Sequence, residues 1–82
     1  MTTDEATAFC ESRTNPQQAL TIDTWTTAEK TERYQISYWT WIDLKHKFRV
    51  SVLAHTFEGA AALALESENR MRVENKMSMV SK

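Results

Sequence analysis

Two runs decide the fold: Tyr34-Gln35-Ile36-Ser37-Tyr38-Trp39-Thr40-Trp41-Ile42-Asp43 and Lys47-Phe48-Arg49-Val50-Ser51-Val52-Leu53-Ala54-His55. Both alternate with the period of two that strand side chains follow. Pairing Ile42 with Phe48 collects Ile36, Tyr38, Ile42, Phe48, Val50, Val52 and Ala54 on one face. The other face carries Gln35, Ser37, Trp39, Trp41, Asp43, Lys47, Arg49, Ser51, Leu53 and His55. A slip of one residue would mix the two sets, which selects against it. The expected hairpin sets Trp41 opposite Arg49 and Asp43 opposite Lys47. Such cross-strand pairs are worth about 0.2–1 kcal/mol each. Its loop, Leu44-Lys45-His46, lacks the glycine common in three-residue turns, so a longer connection also fits.

Working outward, Leu20-Thr21-Ile22-Asp23-Thr24-Trp25-Thr26-Thr27-Ala28 is too rich in threonine for a stable helix and reads as a first strand. The polar run Glu29-Lys30-Thr31-Glu32 turns it into the next strand. Pairing Thr27 with Arg33 sets Ile22 opposite Tyr38 and places Trp25 with Trp39 and Trp41 on the outer side. At the N-terminus, Thr2 and Glu5 have capping-box spacing, and Ala6, Phe9 and Cys10 share one side of the helix that follows. Asn15-Pro16 begins a turn. After His55 the period changes. Thr56 caps a second helix, expected over 57–68, whose Ala60, Ala61, Ala64 and Leu65 suit close approach to the core face. Gly59 in its first turn points to a close contact. Glu68, on the side of Phe57, Ala64 and Met71, reads as the place where this helix ends or turns to solvent. Met71, Val73, Met77 and Met79 alternate with polar residues, so the tail reads either as a fourth strand or as a helical extension.

The expected fold is therefore α+β within one small domain over residues 1–82: a short N-terminal helix, a three-stranded antiparallel β-meander at 20–28, 34–43 and 47–55, and one packing helix. At this length a single core is marginal, and association adds stability. The net charge of −1 lacks the basic excess of a dedicated nucleic-acid binder. Cys10 is the sole cysteine, which rules out an internal disulfide and a cysteine-based zinc site and suits a reducing, cytoplasmic compartment. Met1-Thr2-Thr3-Asp4-Glu5 has neither a basic region nor an apolar run, so no signal peptide is expected. The apolar stretch Ala60–Leu65 is too short for a membrane span.

Catalytic chemistry finds no footing in these residues. Gly59 is the only glycine, so no phosphate loop exists, and His46 and His55 read as surface histidines without converging ligands. No catalytic residue, metal or cofactor is expected. The tryptophans are the sharper signal. Trp25, Trp39, Trp41, Lys45, Lys47, Arg49 and Leu53 form the candidate partner-binding face, because tryptophan and arginine dominate binding hot spots. Three covers suit that face: the N-terminal helix, a second copy in a homodimer, or an external partner. The expectation is a non-enzymatic protein-interaction module that binds a larger protein or complex and blocks or modulates it. Small motif-free chains of this kind include phage and mobile-element inhibitors of host machines. The alternative is a single-stranded nucleic-acid binder that stacks bases on the same Trp, Arg and Lys face.

Overall fold

The computed structural model describes residues 1–41 and 46–74. In chain order the elements are α1 (Thr3–Glu11), β1 (Thr21–Thr26), β2 (Glu32–Trp41), β3 (Lys47–Ala54) and α2 (Phe57–Glu74). The capping box closes α1 from both sides: Thr2 Oγ1 accepts from the Glu5 amide at 3.1 Å, and Glu5 Oε1 accepts from the Thr2 amide at 3.0 Å. A turn follows in which Asn15 Oδ1 accepts from the Gln17 and Gln18 amides. The connector then reaches the sheet, where Gln18 C=O accepts from the Trp39 amide at 2.8 Å.

The strands form one antiparallel sheet in the order β1-β2-β3. Both registers lie two residues from the patterning expectation. Thr40, not Ile42, faces Phe48; Trp39 faces Arg49, and Trp41 faces Lys47. Ile22 faces Ile36, not Tyr38, and Trp25 faces Arg33. A shift of two leaves every side chain on its face, so alternation cannot tell the two registers apart. Turn geometry does. The β1–β2 hairpin closes tightly, with the Thr27 amide donating to Thr31 C=O and the Lys30 amide to Thr27 C=O, both at 2.9 Å. Lys30 takes the left-handed conformation (φ 62°), where a three-residue hairpin loop usually places glycine. The described part of β2 ends at Trp41, and β3 begins at Lys47. Ile42, Asp43, Leu44 and Lys45 lie outside the described residues.

Both helices pack on the even-numbered face. Ala6, Phe9 and Cys10 of α1 join Ile36, Tyr38 and Val50 of the sheet and Ala60, Ala61, Ala64 and Leu65 of α2 in one core. Three alanines with no exposed surface let α2 lie close against β2 and β3. Thr56 caps α2 through its hydroxyl, which accepts from the Gly59 amide at 3.0 Å. A Cβ at Gly59 would stand 2.8 Å from that hydroxyl, which accounts for the glycine. The helix runs beyond the expected 68 through Glu74, so Met71 and Val73 are helical and belong to no fourth strand. Met77 and Met79 lie outside the described residues.

Glu68 corrects the reading of where α2 ends. It has no exposed surface and pairs with Arg13, Nη2 to Oε2 at 2.6 Å and Nε to Oε1 at 3.3 Å. A carboxylate on the inner side of a helix is tolerable when a guanidinium meets it two-pronged. The same guanidinium lies 4.0 Å from the centre of the Phe9 ring and 5.4 Å from that of Tyr38.

Tyr38 is buried beside this pair, and its hydroxyl donates to Ala64 C=O at 3.4 Å. Burial holds its phenol well above the ordinary value; Glu68 pushes the same way and Arg13 opposes. A raised folded-state value means that folding favours the neutral phenol. The stability this contributes is fully present below the unfolded value near pH ~10 and is lost as pH rises beyond it. Alkaline titration followed by tryptophan fluorescence should show unfolding that begins above that point. Tyr38→Phe should move its onset to higher pH, and an unchanged alkaline limb would place the titration elsewhere.

Candidate functional site

The outer, odd-numbered face of the sheet carries Asp23 and Trp25 on β1, Arg33, Gln35, Ser37, Trp39 and Trp41 on β2, and Lys47, Arg49, Ser51 and Leu53 on β3. Neither helix covers it. The Phe9 ring meets Tyr38 edge-on, with centroids 5.9 Å apart, on the opposite side of the sheet. The N-terminal helix is thereby accounted for as part of the main core, not as a lid over the tryptophans. Trp25 remains 43% exposed, Trp41 38% and Leu53 50%.

Register divides this face into two ends. Trp39 and Trp41 stand opposite Arg49 and Lys47. Lys47 Nζ lies 4.7 Å from the centre of the Trp39 ring and 5.7 Å from that of Trp41, and Arg49 Cζ lies 5.9 Å from the Trp39 ring. These four side chains form one aromatic and cationic cluster, held by cation–π attraction across adjacent strands. Trp25 does not join it. It pairs with Arg33, six residues before Trp39 on β2 and so about 20 Å away. Between the ends runs a polar seam in which Gln35 Nε2 donates to Ser51 Oγ at 3.1 Å and the Ser37 and Ser51 hydroxyls meet at 3.2 Å. Leu53 faces Gln35 on this seam. Lys45 lies outside the described residues.

At the Trp25 end, Arg33 Nη1 contacts His55 Nδ1. Sequence reasoning missed this pair because its register set His55 opposite Gln35. The observed β2–β3 register, extended one step past Tyr34 and Ala54, brings Arg33 and His55 together. A groove at this end is lined by Thr24, Trp25, Thr26, Glu32, Arg33 and Tyr34. A second lies between β3 and α2, lined by Val52, Leu53, Leu63, Glu66, Ser67 and Arg70. In the first, the Tyr34 hydroxyl donates to Glu32 Oε2 at 3.5 Å.

β1 packs against β2 alone and is exposed along its whole length. Ile22 stays exposed on the side where the helices sit, because α2 reaches only β2 and β3. The sheet thus presents an open backbone edge beside the outer face.

Cys10 is free and buried. Burial pushes its thiol up, with Arg13 opposing more weakly, so the sulfur stays protonated and a poor nucleophile at neutral pH. Among the described residues, no group of three His, Cys, Asp or Glu side chains is placed to hold a metal ion. Nor, among those residues, is any helix long and apolar enough to cross a membrane. No protein-family model, curated protein or solved structure matches the chain.

Proposed function

We propose that this chain is a non-enzymatic, cytoplasmic protein-interaction module that binds a larger protein through its outer sheet face and blocks or modulates it. The observation that carries this reading is the placement of both helices on the other face, which leaves Trp25, Trp41 and Leu53 open to solvent. Large aromatic side chains in contact with water gain most by burial against a partner, about 25 cal/mol per Å² of apolar surface removed from water. The exposed β1 edge adds backbone donors and acceptors that a partner strand can pair with. A second copy of this chain is the competing occupant.

A pull-down from lysate with wild type and a Trp39→Ala/Trp41→Ala variant tests the reading. The variant is checked first for folding by circular dichroism. Loss of a wild-type partner is the expected result. A folded variant that retains every partner removes these tryptophans as the site. A solution mass of two chains that returns to one in the variant would assign the face to self-association.

A further inference from the structure

We propose that the partner presents an acidic segment studded with apolar side chains, and that it docks on the Trp39, Trp41, Lys47 and Arg49 end of the outer face. This rests on the interaction reading above and names the chemistry of the partner.

The first support is the separation of charge across the sheet. On the helical side, α1 carries Asp4, Glu5 and Glu11 and no cation, and α2 carries Glu58, Glu66 and Glu74 against Arg70 and Arg72, while buried Glu68 is neutralised by Arg13. The outer face carries Arg33, Lys47 and Arg49 against Asp23. A chain whose net charge is only −1 thus carries its acidic excess on the helical side and a cationic excess on the outer face. An acidic partner is repelled by the helical layer and drawn to the sheet, which orients the encounter before contact.

The second support is local. Among the described residues, no carboxylate lies within ion-pair distance of Lys47 or Arg49. Their charges are held over indole rings instead. The cluster therefore offers two placed cations to carboxylates, and the exposed Trp41 beside a half-buried Trp39 to Leu or Phe side chains. An acidic segment with interspersed apolar residues matches both at once.

Single-stranded nucleic acid fits less well. Stacking needs free ring faces, and Lys47 and Arg49 occupy faces of the indoles. Among the described residues, these are the two cations placed over the Trp39 and Trp41 rings. Arg33 is six residues along β2 from Trp39, and Asp23 interrupts the path between them. A phosphate backbone carries a charge at every nucleotide and needs a more continuous cationic track.

The test is a fluorescence titration of the full chain with three probes: a short synthetic peptide of Asp and Glu interspersed with Leu and Phe, the same peptide with Gln and Asn in place of its acids, and an oligothymidylate. The acidic peptide should bind and shift the tryptophan emission, and should weaken as salt rises, because exposed charges are screened. Lys47→Glu/Arg49→Glu should weaken it by about a hundredfold, whereas Arg33→Glu should change it by less than about threefold. Should the reversal variant fail to fold, Lys47→Gln/Arg49→Gln takes its place, with a loss of about tenfold expected. Equal binding of the amide peptide overturns the acidic assignment and leaves the interaction reading standing. No binding of the acidic peptide also overturns it, while the pull-down decides the broader reading by itself. Tighter binding of the oligothymidylate than of either peptide overturns both.

Discussion

Arg13→Ala should lower the unfolding free energy by about 3–5 kcal/mol, the usual consequence of removing one partner of a buried ion pair. The side chains of Arg13 and Glu68 are 9% and 0% exposed. Arg13 also donates through Nη1 to Phe9 C=O at 3.3 Å and to Ser12 Oγ at 2.7 Å, so the guanidinium is well satisfied. Without it, the fully buried Glu68 carboxylate loses its two-pronged guanidinium partner. Domains of this size are stable by roughly 4–12 kcal/mol, so the loss is a large share of the total. The converse variant makes the argument sharper. Arg13→Met/Glu68→Leu should recover much of the stability, since two desolvation penalties vanish together. The two single substitutions and the double form a cycle that is far from additive. Urea unfolding followed by tryptophan fluorescence measures all of them. A loss below about 1 kcal/mol for Arg13→Ala would mean that water reaches Glu68 and that the pair behaves as a surface contact.

Val50→Asp should abolish cooperative unfolding at neutral pH. Val50 is 2% exposed and lies on β3 opposite Tyr38, under α2. The substitution forfeits about 1.5–3 kcal/mol of apolar burial. It also introduces a carboxylate with no partner, at a cost of several kcal/mol more. Together these approach the whole stability of the chain. Leu53→Asp provides the contrast on the same strand. Its side chain projects from the outer face and is half exposed, so the expected loss is under about 1 kcal/mol. Near-equal losses for the two variants would refute the division of the sheet into a buried and an open face.

Which side of each strand turns inward was decided by local chemistry. The parity of residues 34–41 and 47–54 sorts Ile36, Tyr38 and Val50 from Trp39, Trp41 and Arg49 without any knowledge of the fold, because a strand side chain cannot change face without a bulge or a slip. The capping residues Thr2, Glu5 and Thr56 likewise mark helix starts, since each bonds to an amide within three residues. Signals of this kind act over one turn or one strand step, and they are legible in a sequence.

Register, pairing at a distance and cover were decided only by the tertiary structure. A two-residue shift conserves every face, so alternation alone does not choose between Trp41 opposite Arg49 and Trp39 opposite Arg49; the folded sheet pairs Trp39 with Arg49. That choice separates Trp25 from the Trp39 and Trp41 cluster and brings Arg33 to His55. Arg13 and Glu68 lie 55 residues apart, so although helical spacing sets Glu68 on the side of Phe57 and Ala64, nothing near it in sequence supplies the counter-charge that makes burial tolerable. Glu68 becomes an interior residue only because α1 and α2 pack on the same face and deliver the guanidinium to it. The side on which α1 packs also decides whether the tryptophans are core or surface. Ala6, Phe9 and Cys10 make an apolar stripe suited to either face of the sheet. The helical side receives it because Phe9 and Arg13 find Tyr38 and Glu68 there, and the outer face stays open.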